Sequence, residues 1–84
     1  MIEYCAYPDY NIEHYKKACE YIEKLFEHEN IVKEKVLIDV DGSQIQVYLT
    51  PKGEVVVIND FDYDSVTVRS EFEISNPEWR LRHY

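Results

Sequence analysis

From Ile12 the apolar residues recur at spacings of 3, 4, 3 and 4 (Ile12, Tyr15, Cys19, Ile22, Phe26), with Ala18 and Leu25 widening the stripe. That is one face of an amphipathic helix. It is predicted over about residues 10–28, with Asp9 or Asn11 as its N-cap. Glu13–Lys17 and Glu20–Lys24 are i,i+4 pairs in the favourable orientation. Glu23, Glu27 and Glu29 crowd the C-terminal end, where the helix dipole disfavours acids. The heptads stop after two to three repeats, so packing on the protein's own sheet is expected over a free coiled coil.

From Glu34 the period falls to two. Val36, Ile38 and Val40 alternate with Leu37 and Asp39, and Ile45, Val47 and Leu49 alternate with Gln44, Gln46, Tyr48 and Thr50. Asp41-Gly42 between them suits a tight hairpin, whose central positions need positive φ. Thr50-Pro51-Lys52-Gly53 marks a second turn. Glu54 to Ile58 is apolar almost throughout, the pattern of a strand covered heavily on at least one face. Val66, Val68, Phe72 and Ile74 then alternate with Thr67, Arg69, Glu71 and Glu73, the apolar set facing the helix.

Strands are thus predicted at about 34–40, 44–50, 54–59 and 65–74. Residues 2–7 form either a short strand or an ordered arm, before Pro8 and Asp9 break the chain. Asn76-Pro77-Glu78 suits a single helical turn, with Trp79, Leu81 and Tyr84 docking the tail. The fold class is α+β: one amphipathic helix packed on a four-stranded antiparallel meander, five-stranded if residues 2–7 join it. At 84 residues the chain reads as a single compact domain over 1–84.

Charge changes the picture. The net charge is −8, and residues 53–78 hold seven acids against Arg69 alone. Direct binding to nucleic acid or to an anionic membrane, both of which require neutralising cations, is therefore not expected. A partner should be basic. Glu3 interrupts any signal-peptide pattern, and the longest aliphatic run, Val55 to Ile58, is far too short to span a membrane. The expected setting is the cytoplasm, with Cys5 and Cys19 reduced; a Cys5–Cys19 disulfide is the alternative.

The candidate chemistry centres on Asn59-Asp60-Phe61-Asp62-Tyr63-Asp64-Ser65. In an extended backbone Asp60, Asp62 and Asp64 share one face, and Phe61 and Tyr63 the other. With Glu71 they match the charged positions of a calcium loop, but Ser65 stands where that loop needs Gly, and the flanks read as strands. Asp39, Asp41 and Ser43 are better explained by turn chemistry. Cys5, Cys19, His14 and His28 lack zinc-ligand spacing. Cys19 lies on the apolar stripe, no serine sits in a nucleophile motif, and both glycines are spent on hairpins. No metal, cofactor or catalytic residue is expected, and the chain does not read as an enzyme.

What remains is recognition. Carboxylates of Asp60, Asp62, Asp64, Glu71 and Glu73 on strand pitch lie near the phosphate spacing of nucleic acid, roughly 6–7 Å. Phe61 and Tyr63, with Tyr48, are candidate aromatic anchors. Small acidic domains with few glycines are common among phage-encoded inhibitors of host defence, such as anti-CRISPR and anti-restriction proteins. That analogy is one of size and charge, without a motif. The leading expectation is an inhibitor occupying a basic, nucleic-acid-binding surface of a partner, in the host cytoplasm if the chain is phage-encoded. The alternative is an assembly module that self-associates through a sheet edge or the helix. In that case the acids only solubilise, and the basic, aromatic tail Trp79–Tyr84 docks on a neighbour.

Overall fold

The computed structural model describes residues 1–82. Helix α1 spans Ile12–Leu25. Asn11 caps it: its side-chain oxygen accepts from the backbone N–H groups of Glu13 (2.9 Å) and His14 (3.2 Å), satisfying donors that have no intrahelical partner. The Asn11 N–H in turn donates to Asn59 Oδ1 at 3.0 Å, which fixes the start of the helix to the sheet. The helix ends about one turn before the predicted residue 28. Phe26 leaves helical geometry as the C-cap and buries its ring edge-to-face on Phe72 at 5.8 Å. Glu27 and Glu29, poorly placed at the negative end of the dipole, fall in the turn beyond.

Among the described residues seven strands form one sheet: β1 (Ile2–Tyr7), β2 (Val32–Lys33), β3 (Leu37–Ile38), β4 (Gln44–Thr50), β5 (Gly53–Asp60), β6 (Ser65–Ser70) and β7 (Arg80–Leu81). The order is β2-β4-β5-β6-β1-β7, with β3 also paired to β4. The meander of β4, β5 and β6 under one helix is as the pattern predicts, but the sheet has more strands than the four or five expected. Residues 2–7 are a true strand, antiparallel to β6, and β7 adds outside them.

Two predicted strands are corrected. The run at 34–40 is instead β2 and β3, separated by a bulge. Val32 pairs Leu49 and Lys33 pairs Tyr48, whereas Leu37 pairs Ile45 and Ile38 pairs Gln44. Residues 34–36 therefore oppose only 46–47, one extra residue on the edge. Gln46 Nε2 donates to the Glu34 carbonyl, and the Glu34 N–H donates to Val47 O at 3.0 Å. The extra residue inverts the alternation, so Leu37 shares a face with Val32. The run at 65–74 stops at Ser70. Its hydroxyl donates to Phe72 O (2.6 Å) and accepts from Phe72 N–H (3.1 Å), turning the chain out of the sheet. Phe72 then reaches Phe26, and the Ile74 N–H donates to the Tyr4 hydroxyl at 2.8 Å.

At the C-terminal end Asn76 closes a turn, accepting from the N–H groups of Glu78 (3.0 Å) and Trp79 (3.1 Å). Trp79 docks as expected, 7% exposed, with its ring 4.8 Å from Tyr21 and 6.3 Å from Tyr4. Leu81 does not dock; it remains exposed. Tyr84 and His83 lie outside the described residues.

The core sits between α1 and one face of the sheet. Val55, Val57, Val66 and Val68 are fully buried there under Ala18 and Ile22, with Tyr4 and Tyr48 beside them. By strand alternation and the pairing register, Val32, Leu37, Ile45, Val47, Leu49, Val56 and Ile58 project from the opposite face. Among the described residues no helix covers that face. Cys5 pairs Thr67 on it, while Cys19 is buried beneath the helix. The two thiols are free and on opposite sides of the sheet, which removes the disulfide alternative.

Candidate partner-binding surface

Asp60 pairs Ser65 across the β5–β6 hairpin, leaving residues 61–64 as a turn. The predicted extended alternation of Asp60, Asp62 and Asp64 is therefore absent. A hairpin must reverse within those residues, and Asp64 adopts φ 48 to do so, a region Asp tolerates. Several groups hold the turn in place. Asp60 Oδ1 accepts from the Tyr63 N–H (3.2 Å), Asp64 Oδ1 accepts from the Tyr10 N–H (2.9 Å), and the Phe61 N–H donates to Ser43 Oγ (2.9 Å). Tyr10 meets Phe61 edge-on at 5.4 Å. Phe61 and Tyr63 nonetheless remain exposed.

The fold adds a second acidic turn to this one. Asp41 and Asp39 lie in the β3–β4 connection, which the Phe61–Ser43 bond ties to the β5–β6 turn. The backbone N–H and the side chain of Ser43 hold the Asp41 carboxyl below its usual range. Asp62 goes the other way: the charge of Asp41, slight desolvation, and then Asp60 and Asp39 push it up. Among the described residues none of the ion pairs includes Asp39, Asp41, Asp60, Asp62 or Asp64.

Glu71 and Glu73 are not part of this cluster. Glu71 Oε1 accepts from the Glu54 N–H at 2.6 Å, at the other end of β5 and so roughly 20 Å from Asp60 at about 3.3 Å per residue. The five residues 60–64 are brought together, whereas the single row of carboxylates extending to Glu73 is not formed. The same separation prevents Glu71 from closing a calcium loop on Asp60. No cluster of three or more His, Cys, Asp or Glu suited to a metal ion occurs among the described residues. Tyr48 is fully buried, its hydroxyl donating to Glu23 Oε2 at 2.5 Å, so it is no surface anchor.

The feature that sequence reasoning missed is the apolar strip on the open face. Val32 and Leu37 are each 57% exposed and Leu49 is 42% exposed, beside half-buried Ile45, Val47 and Val56. The two-sided apolar run at 54–58 was its signal. Which strand neighbours continue the strip depends on the bulge at 34–36. A smaller miss is His14, whose Nδ1 lies 2.7 Å from Asp9 Oδ1 and whose ring stacks on Tyr7 at 4.4 Å.

Beyond β5 the open face becomes polar and carries Arg69, Arg80 and Arg82 around Glu3. Glu3, only 9% exposed, lies 3.5 Å from Arg69 and 3.4 Å from Arg82. Arg82 also donates to Ser65 Oγ (3.2 Å) and lies 5.8 Å from the centre of the Tyr63 ring. Cys19 is buried, and burial pushes its thiol up, the opposite of what activates a nucleophile.

Fold and surface together define a small α+β domain with one covered sheet face, one half-apolar open face, and an acidic end. Compared with known families, curated proteins and solved structures, the chain matches none. Among the described residues no helix is long and apolar enough to cross a membrane.

Proposed function

We propose that this protein is an acidic protein-binding module that occupies a basic surface of a partner, a surface of the kind that otherwise holds nucleic acid. The observation that carries this reading is the acidic end, where two turns converge. Asp39, Asp41, Asp60 and Asp62 lie together there with no ion pair among the described residues, and their mutual repulsion raises the proton affinity of Asp62. A cation supplied from outside relieves that repulsion. Phe61 and Tyr63, exposed on the same turn, supply contact area of the type that dominates interface energetics.

The test is a pull-down from lysate, comparing wild type with an Asp60→Asn, Asp62→Asn, Asp64→Asn variant, at low and high salt. Enrichment of a nucleic-acid-binding protein by wild type alone, and its loss at high salt, supports the reading. Equal enrichment by both baits refutes it. Self-association is the second reading, favoured by the uncovered apolar strip. A molar mass that rises with protein concentration in sedimentation equilibrium would support it.

A further inference from the structure

The strip on the open face has a size and a border. It is three strands wide, from the β2/β3 edge through β4 to β5, which at two strand spacings is about 10 Å. A helix with its side chains measures about 10–12 Å across. Along β5, the open-face column runs Glu54, Val56, Ile58, Asp60, so an acid stands at each end of the strip, with Val56 half-buried and Ile58 buried between them. Six residues of strand separate those acids, about 20 Å, the length of roughly 13 helical residues at 1.5 Å each. Asp39 and Asp41 reinforce the Asp60 end. The arginines on the remaining side only partly offset these acids: Arg69 and Arg82 share the single carboxylate of Glu3, and Arg80, paired with Cys5 on the same face, is exposed.

We infer that the open face of the sheet is the docking site for a cationic amphipathic helix of a partner, its aliphatic stripe on Val32, Leu37, Val47, Leu49 and Val56 and its lysines or arginines over the acids at the two ends. This rests on the reading of a basic partner and specifies the element through which it binds. A second copy of this chain fits less well, because it adds another charge of −8 against the same acidic ends. The short, bulged β2/β3 edge also resists extension by a strand.

The probe is a 14-residue helical peptide of leucine and lysine with all leucines on one face. Its controls are a scrambled peptide of identical composition, with the leucines dispersed, and a leucine–glutamate version. Binding is read by fluorescence anisotropy, and the footprint by amide shifts in a ¹H–¹⁵N spectrum. The expected result is tighter binding of the one-faced peptide than of the scrambled one by about tenfold or more, with shifts on β4 and β5. Leu37→Ser with Leu49→Ser should weaken binding about tenfold. Leu25→Ser, which removes a leucine 47% exposed on α1, should leave it unchanged.

Equal affinity for both cationic peptides, or a footprint on α1, would overturn the inference. So would a concentration-dependent dimer whose footprint is this face. If a basic partner is captured through the acids while the Leu37/Leu49 variant captures it equally well, the functional reading stands and this inference alone fails. If no basic partner is captured and the one-faced peptide binds no better than the glutamate version, both fail.

Discussion

Tyr48→Phe removes one hydroxyl at the centre of the fold, whose short bond is to Glu23 and whose longer one, 3.5 Å, is to the Cys19 carbonyl. Tyr48 has no exposed surface, and its hydroxyl reaches Glu23 Oε2 at 2.5 Å, while Lys33 Nζ lies 2.9 Å from the same oxygen. Phenylalanine keeps the ring packing, so the variant removes only the hydroxyl and leaves Glu23 with Lys33. A hydrogen bond to a charged group contributes about 1.5–3 kcal/mol. The Glu23 side chain is 38% exposed, and water screening places the expected loss lower, at about 1–2 kcal/mol.

The loss should also depend on pH. Desolvation raises the Glu23 carboxyl, but the Tyr48 hydroxyl and Lys33 outweigh it and hold the group below its usual range. A depressed carboxyl contributes stability above its unfolded pKa and loses it as pH falls through the folded value. Urea unfolding of wild type and variant at pH 7, and stepwise down toward pH 3, should show a gap that is largest at neutral pH. On acidification it should narrow toward that of a neutral hydrogen bond, about 0.5–1.5 kcal/mol. A difference below about 0.3 kcal/mol at pH 7, or one that widens on acidification, would refute the reasoning.

Three further outcomes are expected. Gly53→Ala should lower the melting temperature: Gly53 has φ +135, and an added Cβ would lie 3.0 Å from Glu71 Cβ, so the loss should exceed about 1 kcal/mol, measured by calorimetry. Trp79→Ala should cost about 3–5 kcal/mol by emptying the site against Tyr4 and Tyr21; a loss under 1 kcal/mol in urea unfolding would show that the tail is not integral to the core. Asp62→Asn should raise the melting temperature at neutral pH, since the neighbouring acids oppose ionisation of Asp62 in the folded state. That gain should vanish at pH values where the wild-type carboxyl is protonated, and a variant less stable than wild type at pH 7 would contradict it.

Much of the candidate surface was legible only in pieces. The turn residues 60–64 stood out by composition, but an extended backbone was the wrong frame for them, because a hairpin reverses where Asp60 meets Ser65. Asp39 and Asp41 were read as local turn chemistry, which Asp41 confirms by capping Ser43 at 2.9 Å. Their approach to Asp62 is a long-range contact that no local pattern encodes. Glu71 and Glu73 looked continuous with the acidic turn in sequence, yet β6 carries them to the far end of the sheet.

The sequence by itself determined the helix, the places of the hairpins and the α+β class, because these follow from local periodicity, capping and turn chemistry. At Asp41-Gly42, however, only Gly42 takes positive φ, and the loop closes from Asp39 to Ser43 instead of as a two-residue turn. The Asn11 cap, the 44–50 strand and the meander of β4, β5 and β6 all belong to that level. Only the tertiary structure decided which face of each strand meets the helix. The alternation in β4 places Gln44, Gln46 and Tyr48 on the covered side and Ile45, Val47 and Leu49 on the open one, because Gln46 pairs Val57 in the sheet register. One residue of register moves every side chain to the other face, and the bulge at 34–36 sets that register at the edge. Tertiary packing likewise brought β1 and β7 to the far side of the sheet, where Trp79 and Tyr4 pack together, a pairing across most of the chain's length that local patterns do not record.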